Sequence, residues 1–83
     1  MAIKAYVLVQ TAPGKAKEAL GHVKALKLAG ARRLSADAVT GPYDLVAVVE
    51  GDDLNAVGTA VADGIQGAEG VTRTTTCVAV KIS

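Results

Sequence analysis

The 83-residue chain has room for one domain and not for two. Its hydrophobic content of 51% lets it collapse, but with no Trp, no Phe and two Tyr the apolar mass is Ala, Val, Leu and Ile, which bury little area each. A formal net charge of +1, with acids and bases spread along the chain, gives no basic field for a phosphate backbone and no polybasic stretch for anionic lipid.

A core this light sits close to break-even against chain entropy unless something staples it. Cys77 is the only cysteine, so no intrachain disulfide can serve. One Cys and one His also make a structural zinc site implausible. Self-association is the remaining common solution, and it is expected here on stability grounds alone. Met1 to Gln10 lacks the charged head and long apolar run of a signal peptide, and no segment reaches bilayer-spanning length. Together with the free thiol, this leads us to expect a cytoplasmic protein.

Along the chain, Ile3, Ala5, Val7 and Val9 share one face of a first strand and Tyr6 and Leu8 the other. Thr11-Ala12-Pro13-Gly14 breaks it, with Thr11 as a candidate helix cap and Pro13 suited to a first helical turn. Lys15 to Ala29 reads as a helix with Ala16, Leu20, Val23 and Leu26 inward, Lys17, Lys24 and Lys27 outward, and Gly30 as its stop. Ala31 to Thr40 is a weaker strand, with Leu34, Ala36 and Ala38 on one face. After the Gly41-Pro42 turn, Tyr43 to Val49 is the strongest strand. Gly51-Asp52-Asp53 supplies a turn and a cap for a second helix marked by Leu54, Val57, Val61 and Ile65 and weakened by Gly58 and Gly64. Val71 to Ile82 is a long last strand with Thr72, Thr74 and Thr76 on one face.

The order β-α-β-β-α-β, two crossover units joined by a hairpin, predicts an α+β ferredoxin-like domain: a four-stranded antiparallel sheet with both helices on one face. Both parities of the central strands are apolar. The face away from the helices, with Tyr6, Leu8, Val46, Val48, Val78 and Val80 as candidates, therefore needs a cover, and a second copy of the same sheet is the simplest one.

Catalytic sets are scarce. His22 is the only histidine and lies mid-helix with no nucleophile or acid beside it in sequence. Cys77 inside the last strand reads as an inert thiol. Gly14-Lys15 lacks the remainder of a phosphate loop, and helix capping accounts for Asp52-Asp53 without a metal. No catalytic residue, metal ligand or cofactor site is expected. Two segments stand out: the hairpin Thr40-Gly41-Pro42-Tyr43-Asp44 and the hydroxyl-rich Arg73-Thr74-Thr75-Thr76. Each has a plain structural reading, as a Gly-Pro turn and as strand-forming threonines. Together they hold what a free amino acid needs: a carboxylate for its ammonium, turn amides and hydroxyls for its carboxylate.

Thr40-Gly41-Pro42-Tyr43-Asp44-Leu45-Val46, a helix, then Gly70-Val71-Thr72-Arg73-Thr74-Thr75-Thr76 resembles the C-terminal effector (RAM) domain of the Lrp/AsnC, or feast/famine, transcription regulators. That pattern is a TG-x-x-D hairpin and a GV-x-x-T-x-T entry into the last strand, and the resemblance runs from Ala2 to Ile82. It implies a domain that dimerises through its sheets and assembles further, as tetramer to octamer, with amino acid effectors bound between dimers. Carried over by position, the ligand-binding residues are Gly41, Tyr43 and Asp44 in the hairpin and Thr74 and Thr76 in the last strand. The regulators carry a helix-turn-helix domain before this module. Here Met1 leads directly into the first strand, so residues 1–83 are expected to form a single RAM-type domain without direct nucleic-acid or membrane contact, acting through full-length relatives if it regulates transcription. The alternatives are a small dimeric enzyme of the cofactor-free monooxygenase type and a purely structural oligomer.

Overall fold

The computed structural model describes residues 2–82. Strand β1 (Ile3–Thr11) is followed by helix α1 (Ala16–Ala25), strands β2 (Ala31–Ala38) and β3 (Leu45–Gly51), helix α2 (Leu54–Thr59) continuing as a π-helix (Ala60–Ile65), and strand β4 (Val71–Val78). The sheet order is β2-β3-β1-β4, with every neighbouring pair antiparallel. This is the ferredoxin-like arrangement that the element order predicts.

Alternation along β1 decides the layers. Ala5, Val7 and Val9 are fully buried and pair with Val49, Ala47 and Leu45 of β3, which are buried too. Ala19 and Val23 of α1 and Val57, Val61 and Ile65 of the second helical segment complete the same cluster, so both helices cover one sheet face. The even-numbered residues of β1 and β3 face the other way: Tyr6 opposes Val48 and Leu8 opposes Val46. That open face carries Ser35 and Asp37 from β2 and Thr75 and Cys77 from β4.

Several local expectations are corrected. Helix α1 ends at Ala25, not Ala29, because Leu26 turns to an extended conformation. Arg33 on β2 replaces the missing turn: its Nη1 donates to the carbonyls of Val23 at 3.0 Å and Leu26 at 2.9 Å. A cation there also suits the negative end of the helix. Arg33 can reach inward because Leu34 is an extra residue in the β2–β3 ladder, which puts Arg33 and Ser35 on opposite faces. Leu34 itself is left 47% exposed rather than aligned with Ala36 and Ala38. Gly30 belongs to the turn before β2 and does not cap the helix. Thr11 is the last residue of β1, not a cap, and Pro13 lies in a turn ahead of α1.

Leu54 opens α2 but is 60% exposed, outside the core predicted for it. Asp53 does cap this helix, its Oδ1 accepting from the Ala56 N–H at 2.7 Å. The chain then widens into π geometry, with the Gln66 N–H donating to the Val61 carbonyl at 2.8 Å. This segment carries Gly64 against Leu28, where a Cβ would lie 2.7 Å from Leu28 Cδ2. The glycine read from sequence as a weakness in the helix thus lies against the tip of the Leu28 side chain. The last strand stops at Val78. Val80 and Ile82 lie beyond it, 75% and 91% exposed, and Val78 pairs with buried Ala5, which assigns it to the helix side. Val78 therefore does not belong to the open face, and Val80 lies beyond the strand that was expected to carry it there. Thr72 is the extra residue of a bulge opposite Gln10 and Thr11, so only Thr74 and Thr76 share the face predicted for all three.

Candidate functional site

One end of the sheet collects the hairpin and the start of β4. Antiparallel order brings the C-terminal end of β1, the β2–β3 connection and the N-terminal end of β4 to the same edge of the molecule. Val9 links them, with Leu45 on one side and Thr74 on the other.

The hairpin is fastened to β1 rather than left as a free loop. The Asp44 N–H donates to the Val9 carbonyl at 2.9 Å, and the Val39 N–H donates to the Asp44 carbonyl at 2.9 Å. The Thr11 N–H donates to Asp44 Oδ2 at 2.8 Å. Gln10 Nε2 donates to the Pro42 carbonyl at 3.3 Å. On the far side of β1, the Thr72 hydroxyl donates to the Gln10 carbonyl at 3.1 Å, within the bulge. Gly41 has φ +122°, a conformation that L side chains rarely adopt, and space around it is open. Conformation, not crowding, therefore requires glycine there.

Asp44 and Tyr43 are half-buried and Gly41 is exposed. Asp44 and Thr74 approach the same end from the two strands flanking β1. Two strand spacings of about 4.8 Å put their backbones on the order of 10 Å apart. The Thr74 hydroxyl donates to Gln66 Oε1 at 3.3 Å, which ties β4 to the end of the π-helix. Thr76 lies one same-face step farther along β4, opposite Val7, and is exposed. Four of the five sequence-derived residues thus gather at one end and Thr76 stands apart. Gln10, Thr11, Thr72 and Gln66 also belong to this constellation. Gln10 interrupts an apolar strand and could have been noticed for that; no sequence signal marks Gln66.

A larger cavity opens at the opposite end of the sheet. It has a volume of about 510 Å³ and is lined by Ala2, Gly30, Ala31, Arg32, Glu50, Gly51 and Asp52. Arg32 pairs with Glu50 through Nε, at 3.0 Å, and through Nη2. That hydrogen bond, followed by the charge of Glu50, raises the Arg32 pKa above its ordinary value. A smaller cavity of about 120 Å³ lies between Leu28 and Gly64. None of the five sequence-derived residues lines either cavity.

His22 Nε2 lies 3.6 Å from Glu69 on the surface, and Cys77 is exposed on the open sheet face. Among the described residues no three His, Cys, Asp or Glu side chains cluster as a metal site would require. Among them, too, no helix is long and apolar enough to cross a membrane.

The sequence profile of the Lrp/AsnC ligand binding domain matches residues 4–83. The chain belongs to the Lrp/AsnC ligand binding domain family. Its fold superposes on TTHA0845 from Thermus thermophilus with a TM-score of 0.83 and 32% identity, over 98% of this chain and 96% of that one. A hypothetical protein from Pyrococcus horikoshii, PHS023, gives a TM-score of 0.78 and 28% identity, covering 99% of this chain and 93% of its own. The transcriptional regulator NMB0573 from Neisseria meningitidis, solved as a complex with L-Met, shares the fold at a TM-score of 0.77 and 23% identity. The match to that regulator covers 95% of this chain and 50% of the regulator. No curated protein matches the sequence. Membership places the chain among ligand-binding domains of a regulatory family.

Proposed function

We propose that this Lrp/AsnC domain is an oligomeric amino-acid-binding module, an accessory to transcriptional or metabolic regulation that does not read DNA itself. The observation that carries the reading is the clamped hairpin. Asp44 is held half-buried by the Thr11 N–H on Oδ2, at the end of the sheet where Thr74 enters β4. A carboxylate has further lone pairs, and Oδ1 is suited to an ammonium group. The Gly41 turn suits the effector's carboxylate, and the Thr74 hydroxyl can donate to it on giving up its bond to Gln66. Tyr43 offers an apolar body to its side chain. Family membership supports a small-molecule ligand, and a regulator of the same fold is known as a complex with L-Met.

The pocket is completed by other subunits. A sheet face centred on Tyr6, Leu8, Val46 and Val48 is covered by a second copy, and dimers meet at the hairpin ends to close the ligand site. The net charge of +1 argues against DNA contact by this domain, so any effect on transcription passes through co-assembly with full-length relatives. The protein is expected to work in the cytoplasm.

Thermal unfolding against each proteinogenic amino acid tests the reading. A ligand at 100 times its dissociation constant adds about 2.7 kcal/mol, enough to move the transition of a domain this size by roughly 10–20 °C. Native mass spectrometry of the same mixtures gives stoichiometry and ligand mass together. A flat response to every amino acid, with the oligomer intact, would leave the structural-oligomer reading instead.

A further inference from the structure

We propose that the two-fold axis of the sheet-to-sheet dimer runs close to the strand direction, so that Asp37 on β2 pairs with Arg73 on β4 of a second copy. This rests on the dimer reading above and adds to it the direction of the axis and the residues that fix it.

The register turns the open face into a grid. Ser35, Val48, Tyr6 and Cys77 form one row across the four strands. Asp37, Val46, Leu8 and Thr75 form the next, and Gln10 with Arg73 the one beyond. Asp37 and Arg73 are both exposed and lie on opposite edge strands of this face. Neither is in an ion pair among the described residues, whose pairs are Lys15–Glu18, His22–Glu69 and Arg32–Glu50. The two edges are separated by three strand spacings, about 14 Å, so the charges cannot meet within one subunit.

Rotation about an axis along the strands lays β2 over the partner's β4 and β3 over the partner's β1, with the sheets about 10 Å apart. Position along the strand is kept. Val46 then faces Leu8 and Val48 faces Tyr6, apolar against apolar, in both directions. Asp37 falls over Thr75, and Arg73 is one same-face step away, about 7 Å along the strand, which a guanidinium arm spans. Lys4 on β1 is brought over Glu50 on β3, a second complementary contact. Two-fold symmetry makes each pair twice. An axis across the strands instead lays every strand on its own copy. Asp37 then meets Ser35, Arg73 meets the far end of β4, and both charges are left unpaired.

The test uses Asp37→Lys and Arg73→Glu separately and mixed. Alone, each variant places like charges together twice and its dimer weakens. Mixed, the two variants restore both attractions in the heterodimer. Native mass spectrometry of the equimolar mixture should show the heterodimer dominating, with the ratio of the squared heterodimer population to the product of the two homodimer populations at least about tenfold above its random-pairing value, and with each variant's circular dichroism spectrum unchanged from wild type. Dimeric wild type with statistical mixing of the variants would overturn the axis while sparing the sheet-to-sheet dimer. A wild type that stays monomeric would overturn both.

Discussion

The backbone N–H of Thr11 donates to Asp44 Oδ2 across 2.8 Å, joining the end of β1 to a hairpin 33 residues away in sequence. Asp44 thus holds the hairpin, and the proposed function gives it a second task, presenting charge to a ligand.

Asp44→Asn and Asp44→Ala separate them. The amide keeps an oxygen for the Thr11 N–H but loses the negative charge. We expect Asp44→Asn to retain wild-type stability to within about 0.5 kcal/mol and to weaken amino-acid binding at least tenfold, the loss of a bond to a charged group being worth about 1.5–3 kcal/mol. Asp44→Ala should lose the binding and also about 1–2 kcal/mol of stability, because a part-buried N–H is left without its partner. Calorimetric titration with the amino acid that shifts the melting transition, alongside denaturant unfolding, checks both. Equal titrations for Asp44→Asn and wild type would remove the carboxylate from the ligand site.

Arg33 is the next test, because it closes the end of α1. Its guanidinium serves the Val23 and Leu26 carbonyls from a neighbouring strand. Arg33→Met keeps much of the apolar stem and removes both donors. Stability should fall by about 2 kcal/mol, measured by denaturant unfolding. The amides of Leu20 to Ala25 should also lose hydrogen-exchange protection more than those of β1. Arg33→Lys should recover part of this, since one ammonium can reach the carbonyls without the planar fork.

The fold was legible because both periodicities were strong. The alternation in Ile3, Ala5, Val7 and Val9 and in Leu45, Ala47 and Val49 separates the faces as the sheet does, and all of these except half-buried Ile3 are buried. Misreadings came where one residue was inserted or one distant partner intervened. The bulge at Leu34 reversed the parity of Arg32 and Arg33, and that at Thr72 moved one threonine out of line. Local pattern carries no mark of either. The early end of α1 depends on Arg33, and the fitness of Gly64 depends on Leu28, contacts fixed only by the tertiary structure. The hairpin and Thr74 are the candidates that the motif supplies, whereas Gln10, Thr11 and Gln66 join them through backbone and side-chain bonds that only the folded register creates.

Asp53 offers a local prediction of known scale. Its carboxylate satisfies the Ala56 N–H at the start of a helix only six residues long before the π segment begins. Asp53→Ala should lower stability by about 1 kcal/mol, and Asp53→Ser should restore most of it. Asp52→Ala, at an exposed position where the structure gives no capping bond, should change stability by less than about 0.5 kcal/mol. Equal effects of the two aspartates would contradict the assignment of the cap.

Three glycines distinguish crowding from mere flexibility. At Gly51 a Cβ would lie 3.1 Å from Val57 Cγ2, 3.2 Å from Ala56 Cβ and 3.4 Å from the Val57 backbone nitrogen, so a methyl group there has to push the start of α2 back by a few tenths of an ångström. Gly51→Ala should lower stability by about 1–3 kcal/mol through overpacking. Gly21 in α1 and Gly58 in α2 have nothing within 4 Å of the same position and no positive φ. At each, alanine should stabilise by about 0.5–1 kcal/mol, because it narrows the unfolded ensemble without disturbing a neighbour. Chemical denaturation of the three variants gives the signs directly. A stabilising Gly51→Ala would mean that α2 does not approach the sheet as closely as this structure has it, and the anchoring of the second helix on β3 would need to be redrawn.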